Sequence, residues 1–146
     1  MDRKEFIRTC GFACVGIAGF GLLLESCNTS KMITGNISGS DLLFPVSDFE
    51  FMKDHERKFK KYLVVHNEKM QFPVCVFRFD ENNYSALLMR CTHQGAELQV
   101  FGDKLQCPAH GSEFDNKGNV QNSPADKNLR TFPVTIENNN VKISLK

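Results

Sequence analysis

Two short stretches constrain this chain more than any other feature. Cys91-Thr92-His93 runs into Gln94-Gly95, and Cys107-Pro108-Ala109-His110 runs into Gly111-Ser112. Each offers one thiol and one imidazole within a few residues. Two hairpin tips facing each other with these side chains make a metal centre with two sulfur and two nitrogen donors. Thiolates stabilise ferric iron strongly, whereas neutral imidazoles donate less charge. Zinc accepts the same atoms, although Cys-x-His is an unusual spacing for a zinc knuckle.

The blocks C-T-H and C-P-x-H-G-S-x-F-D, from Cys91 to Asp115, resemble the signature of the Rieske iron–sulfur family. The likeness continues through Gly118-Asn119-Val120, Pro124-Ala125, Leu129 and a closing hairpin. The resemblance implies one Rieske [2Fe–2S] cluster, with Cys91 and Cys107 on one iron and His93 and His110 on the other. It also implies that Ser112 donates its hydroxyl to a bridging sulfide. Gly95 and Gly111 are expected to allow tight turns, and Pro108 to stiffen the second loop. Ser123-Pro124-Ala125 resembles the loop that covers the cluster. Quinol-oxidising relatives carry a further cysteine in each loop, joined as a disulfide, and a tyrosine after the serine. Here those places hold Ala96, Ala109 and Phe114.

The first residues read as a targeting segment. Arg3, Lys4 and Arg8 make a basic start, and Cys10 to Leu24 is an unbroken run of apolar and small residues. A spanning helix needs roughly 20 such residues, so the run fits an export signal better. Leu24-Glu25-Ser26-Cys27 resembles a bacterial lipobox with Cys27 as the lipidated residue, except for Glu25. Arg3 to Arg8 resembles a twin-arginine signal with lysine in the second place. Residues 1–27 are therefore expected to be an export or lipoprotein signal, or an N-terminal membrane anchor. Residues 28–40, rich in Asn, Thr, Ser and Gly, are expected to be a flexible linker. Residues 41–146 are expected to be the Rieske domain.

Within that domain the pattern is β. Tyr62 to His66, Phe72 to Phe79 and Tyr84 to Met89 are rich in Val, Phe, Tyr and Leu. Phe77 and Phe79 are expected on one face, with Arg78 between them on the other. Leu98 to Phe101, a Gly102-Asp103 turn and Lys104 to Gln106 form a hairpin delivering the second loop. Phe132 to Ile136 and Val141 to Leu145 close the fold around Asn138-Asn139-Asn140. Leu42 to Val46 contains Pro45 and reads as an edge strand or entry segment. The nearest helix candidate, Phe49 to Lys61, is mostly charged. The expected fold is an all-β, Rieske-like antiparallel sandwich with a small cluster-binding subdomain built from two hairpin loops.

The composition is consistent with this. A formal net charge of +1 gives no reason to expect nucleic acid, and 13 phenylalanines fill a core in a chain without tryptophan. The six cysteines are scattered and do not read as a disulfide framework. Cys75 reads as a buried small hydrophobe. His55 and His66 read as exposed, and Arg57, Lys58, Lys60 and Lys61 as a solvated face, with docking of an acidic partner as the alternative.

The resemblance implies a membrane-anchored one-electron carrier, part of a respiratory chain of the quinol:cytochrome c type. It is expected to be a component of an oxidoreductase complex rather than a stand-alone enzyme. Its donor would be a cytochrome b/quinol system or another respiratory enzyme, and its acceptor a cytochrome c-like protein. The expected location is the periplasmic side of a bacterial inner membrane, held by lipid at Cys27 or by a helix. The alternatives are a small electron-transfer subunit of a periplasmic oxidase and a structural zinc-binding module. An oxygenase needs a further iron site, and the chain is too short to add that domain.

Overall fold

The computed structural model describes residues 31–146. The segment expected to be an export signal or an anchor, with Cys27, lies outside the described residues. Among the described residues no helix is long and apolar enough to cross a membrane.

The chain opens with β1 (Met32–Thr34), β2 (Asn36–Ser38), β3 (Asp41–Pro45), β4 (Glu50–Lys53), β5 (Glu56–Phe59), β6 (Tyr62–His66), β7 (Val74–Arg78) and β8 (Tyr84–Leu88). It continues with β9 (Gln99–Phe101), β10 (Lys104–Gln106), β11 (Glu113–Asp115), β12 (Val120–Asn122), β13 (Thr131–Phe132), β14 (Val134–Glu137) and β15 (Asn140–Ser144). A five-stranded sheet has the order β1-β6-β7-β8-β13, and a four-stranded sheet the order β14-β15-β3-β2. A second four-stranded sheet, β12-β11-β10-β9, carries one ligand loop, and β4-β5 form a separate hairpin. Among the described residues every strand pairing is antiparallel except β1 with β6.

The five-stranded sheet is buried on both faces, and the two-residue period of a strand decides which side chain goes where. Leu63, Val65, Val74, Val76 and Ala86 face the β14-β15-β3-β2 sheet and pack with Leu42, Phe44, Val141 and Ile143. Their neighbours Val64, Cys75, Phe77 and Leu87 face the other way, onto Leu98, Leu105, Phe114 and Leu129 of the loop-bearing subdomain. Val74 to Phe77 are therefore all buried. A strand covered on both sides reads as a continuous apolar run rather than an alternating one.

Four expectations are corrected. Residues 32–38, placed in a flexible linker, form β1 and β2 and belong to the two sheets. Gly35, between them, lets the chain step from one sheet to the other. A Cβ there would lie 2.6 Å from Leu42 Cδ1 and 2.7 Å from Val65 Cγ1. Low apolar content hid these strands, since only Ile33 and Ile37 pack against the core and backbone pairing does the rest.

The helix candidate 49–61 is instead the β4–β5 hairpin. Its register pairs Lys53 with Glu56 and leaves Asp54 and His55 as a two-residue turn, both at positive φ. That is the twist a two-residue hairpin needs. The segment reading as an edge strand, β3, is interior, between β15 and β2. Pro45 sits at its last position, where a missing N–H is tolerated. Phe79 lies beyond the end of β7 and is 40% exposed, so it does not share the buried face of Phe77.

If β1 and β2 belong to the folded unit, Gly35→Val should destabilise it by about 1–3 kcal/mol through overpacking against Leu42 and Val65. Urea unfolding measures this, and an unchanged midpoint would return residues 32–38 to the status of a linker.

Candidate metal centre

The two loops share one backbone plan. In the first, the Cys91 N–H donates to the Ala96 carbonyl at 2.8 Å and the Gly95 N–H to the Cys91 carbonyl at 2.9 Å. In the second, the Cys107 N–H donates to the Ser112 carbonyl at 2.8 Å and the Gly111 N–H to the Cys107 carbonyl at 3.0 Å. The fourth residue after each cysteine is a glycine at positive φ, +78° for Gly95 and +80° for Gly111. Side chains with a Cβ rarely adopt that conformation, which is why glycine stands at both places. The histidine falls at a different step of each turn, so Cys-x-His and Cys-x-x-His are two fillings of one frame.

The tips meet. Cys91 and Cys107 are 3% and 2% exposed. Burial acts to raise the Cys107 thiol pKa, but the N–H of Ala109, the Cys91 thiol and the N–H of His110 outweigh it and hold the thiol below its ordinary value. His93 and His110 are exposed, and their rings stand edge to face with centroids 5.3 Å apart. The four donors thus come as a buried pair of sulfurs and an exposed pair of imidazoles. Among the described residues no three His, Cys, Asp or Glu side chains are grouped to hold a single metal ion.

A third loop ties the two tips together. Ser112 is fully buried, and its Oγ accepts the Ala125 N–H at 2.9 Å. Among the described residues no acceptor takes its hydroxyl proton. The Thr92 hydroxyl donates to the Lys127 carbonyl at 2.6 Å. The same loop ends where the Leu129 N–H donates to the Gly118 carbonyl at 2.8 Å. Asp115 anchors the turn leading into it. Desolvation opposes its charge, but bonds from the Asn119 side chain and from the N–H groups of Asn119, Lys117 and Gly118 hold its carboxyl below the usual range.

Other candidates fall elsewhere. Cys75 is fully buried on β7, where desolvation pushes its thiol far upward and makes it inert. His55 and His66 are exposed. Arg57 and Lys58 lie within 3.7 Å of Glu50 and Glu56 on their own hairpin. Ala96 and Ala109 hold the two loop places without a thiol. Sequence reading placed Ser123-Pro124-Ala125 over the site and quoted Thr92 within the first loop, but it missed the bonds these residues make, since neither a hydroxyl nor a backbone N–H shows its partner until the third loop is seen beside the other two.

The family described as Rieske [2Fe-2S] domain matches residues 49–133. The chain belongs to this family. It is 39% identical over 56 residues to the cytochrome b6-f complex iron-sulfur subunit of Synechococcus sp. (strain CC9605), covering 37% of this chain and 32% of that one. The chain thus spans about a third of the length of that relative. Against the corresponding subunit of Prochlorococcus marinus (strain NATL1A), identity is 38% over 163 residues, covering 99% of this chain and 85% of that one. Among solved structures, it is similar to the cyanobacterial plasma membrane Rieske protein of Synechocystis PCC 6803. That match has a TM-score of 0.49 at 30% identity and covers 57% of this chain and 85% of that one.

Members of this family carry a Rieske [2Fe-2S] cluster. The donor set fits: two thiols touching each other, two imidazoles beside each other, and backbone N–H groups aimed at a sulfur.

Replacing Ser112 by Ala leaves the Ala125 N–H buried without a partner. The expected loss is about 1–3 kcal/mol of stability, measured by denaturant unfolding. No change would mean that the third loop is held without this bond.

Proposed function

We propose that Cys91 and Cys107 hold one iron of the cluster and His93 and His110 the other, with Ser112 donating its free hydroxyl proton to a bridging sulfide. The observation that carries this is the split in exposure, both sulfurs covered and both imidazoles open. The cluster, when bound, supplies a one-electron store. The thiolates favour ferric iron on their side and the neutral imidazoles favour the electron on theirs. The buried cysteines keep water from the sulfurs, and the histidine edges form the surface a partner meets.

On this reading the protein is a membrane-anchored carrier on the periplasmic side of a bacterial inner membrane. It belongs to a respiratory complex of the quinol:cytochrome c type. Its donor is a quinol at a cytochrome b, and its acceptor a cytochrome c-like protein. The likeness to cytochrome b6-f subunits supports a partner of this kind. A second reading, the small electron-transfer subunit of a periplasmic oxidase, is favoured by Ala96 and Ala109, which leave the loops without the disulfide of quinol-oxidising relatives. A structural zinc module fits poorly, since tetrahedral zinc gathers four donors around one point and these donors form two separate pairs.

Purified protein should contain two irons and two acid-labile sulfides per chain. One zinc without sulfide would sink the assignment. For the N-terminus, the intact mass of protein extracted from membranes should show cleavage before Cys27 and added lipid there. A mass retaining Met1 to Ser26 would replace the lipid by a helical anchor.

A further inference from the structure

Beside the first loop lies an open cleft of about 500 Å³ whose lining includes Thr92 and His93 together with Arg90, Lys127 and Arg130. Three cations around one cleft are conspicuous in a chain whose formal net charge is only +1. Among the described residues none of the three lies within ion-pair distance of a carboxylate, whereas Arg57, Lys58, Lys104 and Lys142 all do. Glu97 is the β-bridge partner of Arg90 and Asp126 precedes Lys127, but both are exposed and neither makes an ion pair with the three cations among the described residues.

The charges are also held in place. The Arg90 guanidinium lies 5.7 Å from the Phe72 ring centroid, and its Nε lies 3.2 Å from where a Cβ on Gly95 would stand. The Arg130 guanidinium sits 4.9 Å from the Phe132 ring centroid and donates to the Leu145 carbonyl at 3.1 Å. Lys127 is fixed through its carbonyl by Thr92, the residue beside His93. Positive charge in excess at a site of approach, two of its three groups held by ring contacts, is the arrangement that steers an oppositely charged partner.

We infer that Arg90, Lys127 and Arg130 form a docking surface for an acidic patch on the redox partner protein, placed to bring that partner against the His93 edge. The inference rests on the proposed assignment of His93 as a ligand of the outer iron. A protein fits better than an anionic lipid surface. The same cleft holds the exposed imidazole, and an electron leaving that edge needs a redox group within reach, which a lipid headgroup does not supply.

The test uses the full-length protein with its cluster and two one-electron acceptor proteins, a cupredoxin with an acidic face and a cytochrome c with a basic face. Stopped-flow oxidation of the reduced protein by the cupredoxin should slow as salt is raised. The triple variant Arg90→Gln, Lys127→Gln, Arg130→Gln should slow it about tenfold at low salt, within the range electrostatic steering spans, and flatten the salt dependence. Oxidation by the cytochrome c should not slow. Lys127→Glu, which removes no protein contact of the side chain, should act in the same direction, so the result does not hang on the folding of the arginine variants. Binding of copper-free cupredoxin, in which no electron moves, should weaken in parallel. A control triple on and just after the β4–β5 hairpin, Lys53→Gln, Lys58→Gln, Lys61→Gln, removes the same charge and should leave rate and affinity near the unaltered protein.

Equal rates, salt slopes and affinities in the cleft variants, with full cluster absorbance, would overturn the docking surface and leave the electron-carrier reading intact. So would binding to phosphatidylglycerol vesicles that depends on these three residues while the cupredoxin is indifferent to them. A protein without cluster absorbance would instead take down the ligand assignment and, with it, this inference.

Discussion

The contact on which the rest depends is the meeting of two loop tips that belong to different hairpins. Cys91 hangs from β8 in the central sheet, and Cys107 from β10 in the small sheet. Nothing in either hairpin alone sets their separation. The third loop does, through Ala125 to Ser112 on one side and Thr92 to Lys127 on the other. Both bonds involve groups whose partners are fixed by the backbone, so the tips are held by short hydrogen bonds rather than by a covalent staple. A bound cluster would add its own tie, since metal binding to a folded site is also folding free energy.

The central sheet makes that arrangement possible. Because its two faces pack against different layers, one strand serves both the sandwich core and the subdomain. Cys75 and Phe77 reach toward the loops, while Val74 and Val76 reach toward β3 and β15. Phe114, fully buried beneath the second loop, sits where the quinol-oxidising relatives have tyrosine. Here it acts as part of the core that supports the loop. The redox site is therefore an extension of the hydrophobic core with only its imidazole edge in solvent.

That edge gives the surface its meaning. The thiols are covered, the histidines are not, and the adjoining cleft carries three cations without carboxylate partners. The exposed basic hairpin read from sequence as a charge run is, by contrast, partly neutralised within itself by Glu50 and Glu56. Charge that is balanced locally solvates a surface, whereas unbalanced charge beside a redox group can select what approaches it.

By itself the sequence determined the all-β class and most strands after Tyr62, and it singled out the two cysteines and two histidines that the fold brings to neighbouring loop tips. The reason is that cysteine, histidine and glycine at short spacing carry their chemistry locally, and strands buried on one or both faces leave a mark in residue type. The equivalence of the two five-step turns was half legible, in Gly95 and Gly111, but not in the bonds that close them. Only the tertiary structure decided the rest. Met32 to Ser38 became strands because sheet edges were available to pair with, which no local pattern shows. Asp54-His55 became a hairpin turn where charge without period had left a helix open. Arg90, Lys127 and Arg130, distant along the chain, share a cleft only because the third loop folds over the first, and long-range proximity is the one thing local residue chemistry does not encode.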